Sequence, residues 1–317
     1  MQNIEHKYSS EAGLKLWLHS YQICQLDEFE EIERLSEKDE LKMYNIYFIC
    51  QRNKIAINPN HIEVTDNLVD LEFEILDKKG KYTVPFGINN SFETIKLSLN
   101  SRYPYNNFEL INEKNERVYF NKSAYAFDDC LSDDARFILK SRPFFLDFEI
   151  LYIGQSIRNS NKPVIDRLKK RHKTLKKILD STNYNNPNKE IYFVLCSFVM
   201  DGTIKIKGDF NAEKGERQRL NDFMTGGLKL TPKQETTLTE AALIKYFEPL
   251  YNVHYKNSFP NRQNKSYNEC YKLDLNAVSV ELNTELYFFS EKIKTNKFHI
   301  MSYPFNKDAD RQKLFYI

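Results

Sequence analysis

No two of the five cysteines, Cys24, Cys50, Cys130, Cys196 and Cys270, form a Cys-x-x-Cys pair, and their number is odd. That argues against a zinc cluster or a disulfide framework and fits free thiols in a reducing cytosol. The N-terminal stretch has no basic segment followed by an apolar one, and no run approaches the roughly 18 apolar residues of a membrane span. An excess of charge of one sign is also missing. There are 46 Lys and Arg against 44 Asp and Glu, a formal net charge of +2, so global charge does not announce a nucleic-acid binder and any such signal must be local. Internal repeats and low-complexity segments are absent. These absences predict a soluble cytoplasmic protein without a membrane partner.

What is present is globular. The 317 residues are 41% hydrophobic and 14% aromatic, enough for a sizeable core and for two domains. The spacing of Phe29, Ile32, Leu35 and Leu41 predicts a largely helical segment over residues 1–43. Strand-like runs follow: "NIYFIC", "KIAIN", the alternating "VDLEFEIL" with its "DKKGK" turn, "YTVPF", "SFETIKLSL" and "ERVYFN". Residues 1–130 thus read as a β-rich accessory domain in which no chemistry is legible. After "RFILKSRPFFLDF" the organisation changes to a strand at 149–153, a basic helix at about 163–180 and the strand "IYFVLCSFV". Asp201-Gly202 is a hairpin signal with "TIKIK" as the return strand. A helix over about 238–248 ends at Pro249. Residues 261–317, with the strand-like "AVSVEL", read as an extension packed on the preceding domain.

Three segments carry candidate chemistry. "EILYIGQS", Glu149–Ser156, is an apolar strand that stops at a glycine, which a plain strand-to-helix corner would explain. Between Lys162 and Lys177 stand eight Lys or Arg residues and one acid, a local charge near +7. Val164, Ile165, Leu168, Leu175, Ile178 and Leu179 make one stripe of this helix. The charged side is either a solvated face or a face that neutralises phosphates through Lys162, Lys169, Lys170, Arg171 and Lys173. Arg167 borders the stripe and can offer a fixed fork to a phosphate. His172 falls within the stripe, where a histidine is either a hydrogen-bonded core residue or a catalytic one. On an ideal helix Arg167 and His172 point roughly 140° apart, so they can frame one site only from different sides. In "TLTEAALIKYFEPLYN", Thr237 and Glu240 have capping-box spacing, a complete structural account of the glutamate. Glu240 also shares a face with Leu243 and Phe247, and a carboxylate at such a rim suits a single hard cation.

Taken together, "YIGQS", then "DRL" and a histidine on a basic helix, then "TEAALIKYFEPLYN" resemble the GIY-YIG nuclease superfamily over about residues 136–257. The resemblance implies a small α/β domain (131–260) with a three-stranded sheet flanked by helices; it does not explain the β-rich N-terminal domain (1–130) or the C-terminal extension (261–317), and with them the expected fold class is α+β. It implies that Tyr152 lines the site and contacts the attacked phosphate or water, and that Gly154 allows backbone and helix to pack closely. Arg167 would stabilise charge on the phosphoryl oxygens, and His172 would orient or transfer a proton. Glu240 would hold one divalent ion, Mg2+ first among them, and Asn252 would support the site. The family's first strand carries Gly-Ile-Tyr. The nearest segment upstream of "YIG" is "RFIL", Arg136–Leu139, which has neither glycine nor tyrosine, so that role would pass to Tyr152 or His172.

The expected function is a metal-dependent endonuclease acting on nucleic acid, DNA ahead of RNA, in genome (antiviral) defence or DNA processing. The alternatives are a degenerate member that binds nucleic acid without cutting it and a protein-interaction module on the same scaffold. A protein activator or partner subunit that licenses cutting would fit such a chemistry, although no residue points to one.

Overall fold

A computed structural model of the chain describes residues 8, 10–35, 41, 43–92, 94–130, 147–156, 164–169, 173–206, 218, 221, 225 and 230–307. Along the chain the first elements are β1 (Ser10–Cys24), helix α1 (Phe29–Leu35) and β2 (Ile46–Asn53). Then come β3 (Ile55–Val64), β4 (Leu68–Asp77), β5 (Gly80–Asn89), β6 (Ser98–Asn100), β7 (Asn107–Ile111), β8 (Arg117–Lys122) and α2 (Ser123–Cys130). The rest are β9 (Phe148–Gln155), α3 (Val164–Lys169), α4 (Lys173–Asn185), β10 (Lys189–Ile206), α5 (Pro232–Phe247), α6 (Asn268–Lys272), β11 (Ala277–Phe289) and β12 (Asn296–Pro304). The chain divides into two compact units: Met1–Gln51, Asp147–Ser181 and Ile191–Ile317 form the first, Arg52–Leu146 and Thr182–Glu190 the second.

The first unit is built on a mixed six-stranded sheet in the order β1-β10-β2-β9-β11-β12. A further parallel pairing of Leu14–Trp17 in β1 with Val278–Glu281 in β11 closes five of the strands into a barrel. β1 runs antiparallel to β10 and β2 antiparallel to β9, while β9 and β11 are parallel. Closure removes the open edges that a free sheet would expose. β2 is buried along its whole length. Its Tyr47 and Ile49 join a core made with Phe29 and Ile32 of α1, the stripe Val164, Ile165, Leu168, Leu175 and Ile178, and Phe193 and Leu195 of β10. Phe48 alternates away from that core and meets Phe247 of α5 and Phe288 of β11, with ring centroids 6.4 and 5.7 Å apart. α5 is buried on all sides from Thr236 to Ile244. Its inward hydroxyls bond one turn back, Thr236 to the Pro232 carbonyl and Thr239 to the Glu235 carbonyl, so no threonine hydroxyl is stranded.

This architecture corrects the expected fold class. The molecule is mostly β, 47% strand against 24% helix, and its sheet is a closed mixed barrel rather than a three-stranded sheet flanked by helices. The sheet draws two strands from the first 53 residues and two from beyond residue 276. Residues 10–24, expected as helix, form β1. Ala12, Leu14 and Leu16 alternate inward, a period of two that a helical reading of the segment passes over. The hairpin expected at Asp201-Gly202 is also absent. β10 continues through both residues, which pair with Lys15 and Leu14 of β1, and the Trp17 indole donates to Asp201 Oδ2 at 2.6 Å. A long antiparallel partner here overrides a local turn preference.

The second unit holds two antiparallel sheets, β3-β4-β5 and β6-β7-β8, over one core. Phe73 of β4 stacks on Phe86 of β5 with centroids 3.8 Å apart, and Phe108 of β7 meets Phe86 edge-on. The β4–β5 hairpin turns at Lys78-Lys79-Gly80, where Gly80 has φ +144°. The outward residues of β4 are acidic, in the alternation legible in "VDLEFEIL". The four described cysteines, Cys24, Cys50, Cys196 and Cys270, are free and buried. Among the described residues no helix is long and apolar enough to cross a membrane.

Barrel closure is testable through Leu16, 1% exposed and paired with Val280 across the β1–β11 seam. Leu16→Ala should cost about 2–5 kcal/mol. Denaturant unfolding followed by the fluorescence of Trp17, the sole tryptophan, would read the loss.

Candidate active site

The strand that ends in Tyr-Ile-Gly lies antiparallel to β2, with Ile49 opposite Tyr152, Phe48 opposite Ile153 and Tyr47 opposite Gly154. The register slips between Ile49 and Cys50 so that β9 carries one extra residue, Leu151. A bulge of this kind bends a strand and re-aims the next side chain. Here Leu151 and Tyr152 both face the core that holds Tyr47. The Tyr47 ring lies across Gly154. A Cβ at position 154 would overlap the Tyr47 phenol and stand 2.9 Å from Tyr152 Cε1. Only glycine fits, and the packing that demands it comes from the neighbouring strand, not from a helix as expected.

Tyr47 was not singled out in the sequence. It stands far upstream, at the end of "NIY", and residues 52–146 separate its strand from β9. Its ring centroid is 6.2 Å from that of Tyr152, with the two planes tilted by 39°. Burial, first of all, raises both phenols above the usual tyrosine range. The charge of Glu240 raises them further and the Arg167 guanidinium pulls them down. Both are therefore neutral at physiological pH.

Glu240 sits in the middle of α5. The helix begins at Pro232, with Thr231 as N-cap and Gln234 completing the capping box. That displaces the capping account of Glu240, because Thr237 is already two turns inside the helix. The glutamate is 8% exposed. Its carboxylate makes no hydrogen bond or ion pair with a described residue, and burial pushes its pKa up to about 7 against the opposing pull of Arg167. Arg167, on α3, is exposed. Tyr47, Tyr152, Arg167 and Glu240 thus act on one another electrostatically around Gly154.

Two asparagines hold the two strands in place. β11 pairs with β9 only at Phe148 and Glu149, so β9 beyond that point has no strand on that side. The segment after Pro249 takes the vacant place. Tyr251 N donates to Leu151 O at 3.0 Å, Asn252 Nδ2 donates to Ile153 O at 2.8 Å, and Ile153 N donates to Asn252 Oδ1 at 2.9 Å. Asn45 does the same for β10: Phe198 N donates to its Oδ1 at 2.9 Å and its Nδ2 donates to Phe198 O at 3.2 Å. Its own carbonyl accepts from Ser156 N at 2.8 Å, tying the start of β2 to the end of β9. Each buried amide stands in for a peptide group of a missing strand. Asn252 is therefore a positioning residue. At the far end of β9, Thr237 donates to Gln155 Oε1 at 3.4 Å and links α5 to the same turn.

Comparison with protein-family models, with curated proteins and with solved structures returns no match.

The basic helix is described in two parts, α3 and α4. Its apolar stripe is buried as expected. His172, Lys162, Lys170 and Arg171 lie outside the described residues, as does "RFIL". Lys173 is exposed at the start of α4. Lys169 is engaged by the protein itself, its Nζ 2.6 Å from Glu33 Oε2 on α1. Among the described residues no three His, Cys, Asp or Glu side chains cluster, and Glu240 is the carboxylate whose charge acts on both phenols. One carboxylate with phenolic oxygens nearby is a hard-donor set. It fits a cation that keeps most of its waters, as Mg2+ does, and suits a soft metal poorly.

The raised carboxyl fixes a sign. Below about pH 4.5 Glu240 is protonated whether folded or not and costs nothing. Between about 4.5 and 7 the unfolded chain ionises first, so stability falls as pH rises and the full cost is felt above 7. In metal-free buffer Glu240→Gln should therefore be more stable than wild type at pH 8, by up to about 3 kcal/mol, with the gain vanishing near pH 4.5. Thermal melts across pH would show it. Gly154→Ala should displace the Tyr47 ring and cost about 1–3 kcal/mol, read as a lower denaturation midpoint.

Proposed function

We propose that the chain is a single-metal phosphodiesterase acting on nucleic acid, DNA ahead of RNA, with a site of the GIY-YIG nuclease kind. The observation that carries this is the packing of Tyr47 and Tyr152 about Gly154 on two antiparallel strands, with the charges of Arg167 on α3 and Glu240 on α5 acting on both phenols. In this reading Asn45-Ile46-Tyr47 stands where that superfamily carries Gly-Ile-Tyr, and β9 supplies Tyr-Ile-Gly.

Each residue then has a task its surroundings support. Arg167, exposed, offers its guanidinium to the phosphoryl oxygens, where negative charge grows during in-line attack. Tyr47 packs beside Tyr152, which lines the site and contacts either the attacking water or a phosphate oxygen. Glu240 holds the cation through its carboxylate form, so cation binding should strengthen as pH rises through about 7. A bound divalent ion, Mg2+ first among them, supplies Lewis-acid polarisation at the phosphate. Asn252 and Asn45 keep the two strands in register. Lys173, with the remaining basic residues of the segment, supplies long-range attraction for a polyanion. A cytoplasmic role in genome defence or DNA processing, with a protein activator restraining the activity, belongs to the same proposal. The burial of Glu240 also supports the alternative of a member that binds nucleic acid without cutting it, since a half-neutral carboxyl holds a cation weakly.

Plasmid and single-stranded DNA incubated with Mg2+ or Mn2+ test the proposal. Wild type should cut. Glu240→Ala and Arg167→Ala should lose about 100-fold or more, and Tyr47→Phe about 100-fold. If wild type and variants are equally inert with every metal, the enzyme reading is sunk. Binding that then persists and weakens steeply with salt would leave the alternative.

A further inference from the structure

The four residues after Pro249 divide into an inner and an outer pair. The inner two are held by the protein: the Tyr251 ring packs on the core that contains Tyr47, and the Asn252 side chain is bonded at both ends to the Ile153 backbone, at 2.8 and 2.9 Å. The outer two are given to solvent. Leu250 is 58% exposed and Val253 85%, and among the described residues no large aliphatic side chain is more exposed than Val253. Apolar residues scattered singly over a surface need no explanation, but two on one turn do. The backbone around them is fixed. Tyr251 N donates to Leu151 O at 3.0 Å before Val253, and Lys245 of α5 donates to the Lys256 carbonyl at 2.6 Å after it. Farther on, the buried Phe259 ring meets those of Tyr267 and Tyr303, with centroids 5.6 and 5.2 Å away.

The charge around this turn selects its occupant. Residues 249–268 include Lys256, Arg262 and Lys265 and no Asp or Glu, in a chain whose net charge is only +2. The acid just before them, Glu248, is paired with Lys292 and lies 4.0 Å from Lys245. Lys177 of α4 stands over the Tyr251 ring, its Nζ 5.6 Å from the centroid. It is exposed, as are Lys173 and Lys176 on the same helix, where Asp180 is the one acid. The exposed apolar pair therefore sits in a positive surround. Two aliphatic side chains offer too little apolar area to anchor a chain in a bilayer. A nucleic acid matches both halves at once, with phosphates for the cations and base faces for the apolar pair. The turn also adjoins the candidate site, because Asn252 binds Ile153 of the Tyr-Ile-Gly strand.

We propose that residues 250–253 form a nucleic-acid contact in which Leu250 and Val253 pack on unstacked bases while Lys177 and the cations that follow the turn take the flanking phosphates. The inference rests on the nucleic-acid substrate proposed above, and it narrows the class of that substrate. Aliphatic side chains find little to pack on in the polar edges of an intact groove, but they pack well on base faces once stacking is broken. The favoured substrate is a strand with unpaired or easily unstacked bases, ahead of a uniform duplex.

The full chain in EDTA tests this by binding alone. A labelled single strand and a uniform duplex of the same sequence are titrated by fluorescence anisotropy, and a nicked duplex carrying 2-aminopurine beside the nick reports unstacking. Wild type should bind the single strand about tenfold tighter than the duplex and raise the 2-aminopurine fluorescence at saturation. Leu250→Ser combined with Val253→Ser should weaken single-strand binding about tenfold and abolish that rise even at saturation, with an unchanged melting temperature. Leu250→Met combined with Val253→Ile should restore both. Lys177→Ala should instead weaken both DNAs alike and reduce the salt slope by about one. If the serine variant binds and unstacks DNA as wild type does, or loses only self-association or binding to phosphatidylserine vesicles, the surface proposal is overturned while the nuclease reading stands on its cleavage assay. If wild type neither binds nor cuts DNA with any metal, both fall together. Binding and unstacking that depend on Leu250 and Val253, without cutting, uphold the surface and remove the nuclease.

Discussion

The phenol of Tyr47 lying across Gly154 is the contact on which the site depends. It sets the register of β2 against β9, since one residue of slip would put a side chain where only a hydrogen fits. It sets the Tyr47 ring beside that of Tyr152, and it carries the ring into the core shared with the basic helix, whose Arg167 acts on both phenols. The bulge at Leu151 and the two asparagine clamps make sense as supports for this contact. Past Glu149 β9 has lost β11 as a neighbour, and Tyr251 and Asn252 take that place.

Glu240 shows the opposing pressures within such a site. A carboxylate in the middle of a helix buried on all sides is a poor choice for stability, and Arg167 offsets the cost only in part. The same burial makes the group sensitive to any cation that reaches it, because binding relieves a desolvated charge. On the proposed function, stability is given up locally and a cation from outside partners the carboxylate. The neighbouring phenols, neutral and unable to balance the carboxylate, sharpen that dependence.

Much of this was legible from local pattern. The stripe Val164, Ile165, Leu168, Leu175 and Ile178 is buried, "IYFVLCSFV" and "AVSVEL" are barrel strands, and the β4–β5 hairpin turns at its glycine. Glu240 was singled out because a carboxylate on an apolar helix face is unusual, and Asn252 because it follows the helix stop. What escaped was decided by partners distant in sequence. Asp201-Gly202 has the composition of a turn, yet β1 holds it extended. "LKLWLH" alternates in twos, but only a second strand shows that the alternation counts. Tyr47 was hidden because its partner lies beyond the whole of β3–β8, and because Asn45 uses its side chain, rather than a glycine's freedom, to begin the strand.

The long excursion between β2 and β9 has a consequence for how the molecule comes into being. The chain leaves the barrel near Gln51 and is back beside it at Glu149, where the two side chains share a 2.9 Å hydrogen bond. Thermodynamically such a detour is mild, since each doubling of a loop adds only about 0.6 kcal/mol. Kinetically it is severe, because pairings between remote segments form late. Tyr47 cannot meet Gly154 until everything between them has been made and gathered. Glu240, the Asn252 clamp and the β11 seam arrive later still. A ribosome finishing this protein therefore carries the site's residues long before it carries the site.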